Sequence, residues 1–296
     1  MTTTLAQEVK ARVANATTAS GPEAQSTTAV LAFVRGAAAY AGSGLWKAAG
    51  ILAFLALWEL GPTYLASSST RVFLPPLHQV LAAWGELYEA GTIQGHLAAS
   101  LTRSASGFGA ALLAGVSLGL LIAWYGKLNA VLNPLLELFR NTAALALLPV
   151  FTLLLGIGEE SKISIVAYAA FFPVLLNTIA GVKTVDPLLI RAAKSLGLNS
   201  FSLFQKVILP SAVPTIFAGI RMAGTASILV LIAAEMVGAK AGLGYLIVNA
   251  QSSFLIPDMY AGILTVSLLG LAVNFFLVAL ERHFSRWRTA VGSDVS

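Results

Sequence analysis

Apolar residues gather along the chain into six runs. Each is close to the roughly 20 residues that cross a bilayer as a helix. They lie near Leu45–Leu65, Leu97–Tyr125, Val131–Leu155, Ile163–Val182, Ala212–Val237 and Met259–Leu280. The second run is thick with glycine and alanine (Gly107, Gly109, Gly115, Gly119), residues that let helices pack closely in lipid. Between the first two runs, Pro75-Pro76 leads into an amphipathic stretch, Leu77 to about Tyr88. Its apolar positions Val80, Leu81, Trp84 and Leu87 predict a helix lying along the membrane surface. Residues 1 to about 28 are rich in Thr, Ala and Ser and read as a mobile tail, with a short helix around Gln7–Ala14. Residues 29–40 are too short to span and are interrupted by Arg35, which predicts an interfacial helix. The expected organisation is an all-α membrane protein: a tail over 1–44, a membrane domain over 45–288, and a short tail over 289–296.

One polar, basic island stands out between the fourth and fifth runs, Asp186 to Pro210. Asp186 can cap a helix that Pro187 opens, since proline at the first helical position loses no hydrogen bond. Leu188, Leu189, Ala192, Ala193 and Leu196 then fall on one face, and Arg191, Lys194 and Ser195 on others. Gly197 can take the left-handed conformation that ends a helix. Asn199 or Ser200 can cap a second short helix through about Val207, with Pro210 as its stop. Two short helices meeting at a glycine make a docking element, with the paired alanines allowing a partner close to the backbone.

Composition agrees with the pattern. Of 296 residues, 57% are hydrophobic and only 10% charged, against about 25% charged in soluble domains. Mean hydropathy is +0.81. The net charge of +5 does not point to nucleic acid, because the basic residues sit at span ends. If the 186–210 loop is cytoplasmic, both termini join it, and that side holds twelve Lys and Arg, from Lys10 to Arg288. The other side holds three, Arg71, Lys162 and Lys240, while Arg103, Arg140 and Arg221 lie within or at the edges of spans. There is no cysteine, hence no disulfide, thiol nucleophile or thiolate metal site, and His78, His96 and His283 have no metal-ligand spacing.

Ionisable groups inside spans are costly and usually face a partner or a water-filled path. Glu137 and Arg140, three residues apart, can pair on one face, followed by Asn141, Thr142 and a kink at Pro149. Pro173 adds another kink, beside Asn177 and Thr178. Arg221 lies early in the fifth run and Glu235 near its outer end, where Gly238, Gly242 and Gly244 allow a tight re-entrant or surface turn leading to Asn249 and Gln251. Two readings stand. Glu137, Arg140, Asn141, Asn177, Arg221, Glu235, Asn249 and Gln251 line a solute path; or Arg140 and Arg221 snorkel to the interface and Glu235 faces outer water.

The spacing Ala192-Ala193, Gly197, Val207-Ile208-Leu209-Pro210 resembles the coupling loop of permease subunits of ATP-binding-cassette (ABC) importers. Arg191 stands where that family has a glutamate, so the loop lacks the acid at its first position. With GIGEESK (156–162), FFPVLLNTIAG (171–181) and EMVGAKAGLGYLIVNAQ (235–251), residues 45–288 resemble the nitrate, sulfonate, taurine and bicarbonate branch. The resemblance implies a type I importer permease fold of about six spans. It implies coupling to an ATPase through Arg191, Ala192, Ala193, Lys194, Leu196, Gly197, Leu198 and Pro210. It further implies a homodimer of the chain, two cytoplasmic ATPase subunits, an external solute-binding protein, and the bacterial inner membrane with both termini cytoplasmic. Within the branch, the run around 225–251 is nearer the sulfonate and taurine permeases, making a small anion the expected solute, with nitrate or bicarbonate as alternatives.

The chain has no GxxxxGK[ST] phosphate loop; Gly126-Lys127 lacks both the upstream glycine and the following Ser or Thr. No cofactor is therefore expected in this chain: ATP and Mg belong to partner subunits, and no residue set reads as catalytic. A different class, an ion-coupled secondary transporter, would need deep carboxylates or broken-helix sites in related halves. No internal repeat supports it.

Overall fold

The structure, a computed structural model, describes residues 49–65 and 72–284. The chain divides into two compact units, Met1–Arg71 and Val72–Ser296. In the first, a helix α1 over 49–60 continues into a π turn, Gly61–Leu65. This is the described part of the first predicted span. The tail, the helix at 7–14, the interfacial helix at 29–40 and the segment 289–296 lie outside the described residues.

Among its described residues the second unit has helices and turns but no strand. Its elements are α2 (Leu77–Glu89), α3 (Thr92–Trp124), α4 (Gly126–Arg140), α5 (Leu148–Leu155), α6 (Glu159–Lys183), α7 (Pro187–Ser195), α8 (Ser200–Leu203), α9 (Leu209–Glu235), α10 (Leu243–Ser252) and α11 (Ile256–Phe284). Among the described residues, four helices are long and apolar enough to cross a membrane: α3, α6, the continuous Ser200–Glu235 segment and α11.

The glycine-rich character of α3 has a direct structural outcome. Its buried positions Ser100, Arg103, Gly107, Ala111, Gly115, Gly119 and Ile122 recur every three or four residues, so they form one stripe. That stripe lies on α6, which runs parallel to it. A Cβ on Gly107 would stand 2.6 Å from the Ile163 carbonyl, one on Gly115 2.9 Å from Val174 Cγ1, and one on Gly119 2.7 Å from Thr178 Cβ. Only glycine permits this approach, and the gain is backbone-to-backbone packing along the whole interface. Gly109, the fourth of the predicted set, faces open space. On its other side α6 packs antiparallel against α9, where Gly219 sits over Asn177 and Pro173. The central core joins α3, α6, α9 and α11 through Ala111, Ala170, Val174, Ala212, Ile216, Ile220, Ala223 and Leu277.

Helix α2 forms as its periodicity predicts. It packs on α11, with Val80 fully buried and Trp84 Nε1 donating to Thr265 Oγ1 at 3.1 Å.

Two expectations need correction. The predicted third span, Val131–Leu155, is not one helix: α4 and the 144–155 segment meet at 84°. Asn141 Nδ2 and Thr142 Oγ1 donate back to the carbonyls of Glu137 (2.8 Å) and Leu138 (3.2 Å), which ends α4 by local competition. Ala143 is then extended, and a 3₁₀ turn, Ala144–Leu147, leads into α5. The break therefore precedes Pro149, which sits harmlessly in the first turn of α5. Among the described residues the complete spans number four, or five with the bent pair, and the first predicted span is described only over 49–65.

Pro210 likewise does not stop its helix. A π turn, Phe204–Ile208, connects α8 to α9 without a break. Lys206, whose carbonyl a proline at 210 cannot satisfy, lies within that widened turn, so the chain continues helically through the proline.

Candidate functional site

Three regions of the second unit carry polar chemistry. The first is the 186–210 segment, built by local signals. Asp186 Oδ1 accepts from the Leu188 amide at 2.8 Å, and Asn199 Oδ1 from the Ser202 amide at 2.8 Å, so both predicted caps form. Gly197 adopts φ +79° between them. The Leu198 amide reaches back to the Ala193 carbonyl (3.2 Å) and the Gly197 amide to Lys194 (3.0 Å), the paired bonds that close a helix at a left-handed residue. Space around Gly197 is open. The glycine is there for its conformation, not for room.

The segment has its own small core: Val185, Ala193, Leu203 and Ile208, with Ile190 and Leu198 against it. Ala193 thus belongs beneath the helix rather than on a partner-facing surface, which corrects the expected role of the alanine pair. Ala192 remains exposed. Around it Leu188, Leu189, Leu196 and Phe201 present apolar side chains outward, Leu196 at 80% exposure, flanked by the exposed Arg191 and Lys194. Large exposed apolar groups with cations on their rim fit a protein interface better than a solvated loop.

The second region is a cavity of about 700 Å³ between α4, α6 and α9. Its lining starts at Lys183, the last residue of α6 and beside the 186–210 segment, and includes Arg140, Thr142, Tyr168, Asn177 and Met222. Tyr168, nine residues beyond Glu159, is the lining residue nearest the other end of α6. Among the described residues lining it are two cations, Arg140 and Lys183, and no carboxylate. Arg140 is paired at 3.3 Å with Glu137, as the i, i+3 spacing predicts, but both are about half exposed. Such a pair contributes less than about 1 kcal/mol and leaves Arg140 free to meet a solute.

The third region was not anticipated as a site. At the end of the bundle away from the 186–210 segment, Arg103 of α3 is buried and touches two carboxylates. Its Nε and Nη2 grip Glu159, the second contact at 2.6 Å, while Nη1 donates to Glu235 Oε1 at 2.7 Å and to the Ala241 carbonyl at 2.6 Å. Glu235 is fully enclosed. Ser100 Oγ lies 2.9 and 2.8 Å from its two oxygens, and the Gly244 amide donates at 3.0 Å. The Leu243 amide donates to Ser100 Oγ (2.9 Å) and the Gly242 amide to His96 Nδ1 (3.1 Å). Gly242 adopts φ +121° directly over the Glu235 carboxylate, where any Cβ would collide. Removing one member of so buried a set costs about 3–5 kcal/mol.

Sequence similarity shows what kind of protein carries these three regions. The chain matches the family described as binding-protein-dependent transport system inner membrane component over residues 112–289. It is a member of this family of ABC importer permeases. The permease is 36% identical over 239 residues to the taurine transport system permease protein TauC of Escherichia coli (strain K12), covering 79% of this chain and 86% of that one. It is 34% identical to the putative aliphatic sulfonates transport permease protein SsuC of Bacillus subtilis (strain 168), covering 80% and 85%. It is 32% identical to the bicarbonate transport system permease protein CmpB of Synechococcus elongatus, covering 80% and 88%. The MetNI methionine ABC transporter in an inward-facing form shares its fold, with TM-score 0.55 at 18% identity over 65% of this chain and 95% of that one. In this family the ATPase is a separate subunit, so the permease is not itself an enzyme.

Of the eight predicted path residues, only Arg140 and Asn177 line the cavity. Asn177 Nδ2 is committed to the Pro173 carbonyl at 2.8 Å, leaving its oxygen available. Glu137 and Asn141 flank the cavity on α4 without lining it. Arg221 pairs with Glu281 of α11 at 3.1 Å, because it projects from a different side of α9 than Met222, Ala226 and Val230. Glu235 is sealed in the ion cluster, and Asn249 and Gln251 sit exposed on α10. Lys183 and Thr142 line the cavity but were not expected there. Arg103 and Ser100 were missed as well, though an arginine buried in a span was itself the signal.

Proposed function

We propose that this permease moves a small anion of the sulfonate or taurine type, driven by ATPase subunits that dock on the 186–210 segment. The observation that carries the solute class is the cavity with Arg140 and Lys183 in its lining and no carboxylate among its described lining residues. A carboxylate there would repel an anion, and two cations in one lining attract it. Similarity to a taurine permease and to a putative sulfonate permease supports the same class.

The excess of Lys and Arg on the side of the segment supports a cytoplasmic segment, with both termini on the same side. Two copies of the permease enclose the path. The ATPases close on binding ATP and draw the two segments together, with Leu188, Leu189, Ala192, Leu196 and Phe201 as the apolar contact and Arg191 and Lys194 as its charged rim. Gly197 and Leu198 shape the contact, and Pro210 lies where it passes into α9. An external binding protein delivers the solute.

The test is uptake into liposomes by the permease reconstituted with its ATPase and binding protein, offered taurine, an alkanesulfonate, nitrate and bicarbonate in turn. ATP-dependent taurine or alkanesulfonate uptake that survives an ionophore is the expected result. Uptake of bicarbonate or nitrate alone would keep the anion and replace the class, a reading that similarity to a bicarbonate permease also favours. Uptake abolished by an ionophore would point to ion coupling and overturn the proposal.

A further inference from the structure

Helices α6 and α9 are joined at one end by the 186–208 segment and part company at the other, where their terminal residues are Glu159 and Glu235. A hairpin pulled at its closed end can move as a body or splay at its open end. The open end here is bridged by a third helix. Arg103 of α3 holds Glu159 through two nitrogens and Glu235 through the third, with the Ala241 carbonyl completing its set. Neutralising the buried Glu235 would take only one of these contacts. The other half of the guanidinium is spent on Glu159, whose side chain is 63% exposed. That contact does little for burial and ties α6 to α9 mechanically. The planar guanidinium fork suits this, because one rigid group fixes both directions at once.

We infer that Arg103 is a positioning residue for transport, a strut across the open end of the α6–α9 hairpin. Through it, a displacement of the 186–210 segment arrives at the far end of α3, α6 and α9 as one rigid-body movement. The glycine-mediated contacts of α6 with α3 and α9 keep the shaft stiff between the two ends. The inference rests on the docking role proposed for the segment, and goes beyond it by assigning a residue at the opposite end to the coupling.

The permease has no cysteine, so introduced pairs report alone. Ile157 and Val237 are both exposed at the open end, where Gly238, the neighbour of Val237 in the chain, lies against Ile157: a Cβ on Gly238 would stand 2.7 Å from Ile157 Cγ2. The experiment reconstitutes the Ile157→Cys, Val237→Cys permease with its ATPase and measures the rate of cross-linking by a short bis-maleimide, without nucleotide and after vanadate trapping with ATP. The expected rates agree in the two states. In the Arg103→Met background the rate in the trapped state falls about fivefold or more relative to the nucleotide-free state, the size of a modest coupling energy. An arginine that only supports the fold would slow both states equally, and that result overturns the strut. A state-dependent rate with Arg103 in place overturns it too. If Arg103→Met does not assemble, Glu159→Gln decides: it leaves the buried half intact, and the same state-dependent fall is expected. A permease that holds no ATPase removes the docking role itself, whereas one that holds it but cross-links unequally removes only the strut.

Discussion

The two ends of the α6–α9 hairpin are built on opposite principles. At the 186–210 end, short helices are capped by their own neighbours and turn large apolar side chains outward. At the other end, three helices converge on a buried arginine held by two carboxylates of the same chain. The first end is organised to meet another molecule and the second to hold this one together. Substitutions should therefore separate stability from assembly according to the end they strike.

The largest effect is expected from Glu235→Ala. It strips the buried Arg103 of one carboxylate and the Ser100 hydroxyl and Gly244 amide of their acceptor, at a cost of about 3–5 kcal/mol. Thermal unfolding of the purified permease measures it. A loss below about 1 kcal/mol would mean that the ion cluster contributes little, and the contrast between the ends would collapse. Next comes the shaft. Gly107→Ala forces a methyl group onto the Ile163 carbonyl and should destabilise by about 1–3 kcal/mol. Gly109→Ala, which meets nothing within 4 Å, should be neutral or stabilising by up to about 1 kcal/mol. Equal effects at the two positions would remove the claim of close α3–α6 packing.

At the docking end the expected losses are in coupling. Gly197→Val places a β-branched residue at φ +79° and strains the turn by about 1–2 kcal/mol. ATP hydrolysis should persist while uptake falls, and undiminished uptake would remove the segment from the coupling path. Leu196→Ala should leave stability within about 0.5 kcal/mol, yet weaken ATPase binding by roughly tenfold if Leu196 anchors the interface. The smallest effect is Arg191→Glu, expected to weaken assembly only at low ionic strength. Normal co-purification at low salt would show that no acidic surface faces Arg191.

What could be read from the sequence follows the same division. The caps at Asp186 and Asn199 and the left-handed turn at Gly197 are decided by residues two to five positions apart, so the amino-acid order alone specifies them. The glycine stripe of α3 was legible as a tendency to pack closely, but not which helix it would meet or that Gly109 would be left out. The bend after Arg140 was drawn to Pro149 because proline is the stronger general signal, whereas Asn141 and Thr142 bonding to the preceding turn made the break. Pro210 misled in the opposite sense, since a π turn absorbed it. The ion cluster needed partners from distant parts of the chain: Arg103 and Glu235 are 132 residues apart. The charges were visible individually, and the span geometry that unites them was not. The cavity lay between these cases: Arg140 and Asn177 line it, whereas Arg221 turns away from it to Glu281.

The separation of Arg103 from its partners also has a consequence for how the protein is made. The arginine enters the bilayer with α3, when Glu159, 56 residues later, and Glu235, 132 residues later, are still unsynthesised or within the ribosome. A lone arginine in a span is costly, so the nascent helix is held by the insertion machinery or rests shallow until α6 arrives. It settles fully only when the end of α9 supplies the last carboxylate. Chains truncated before residue 159 thus carry an unneutralised membrane arginine, and those truncated between 159 and 235 pair it with Glu159 alone.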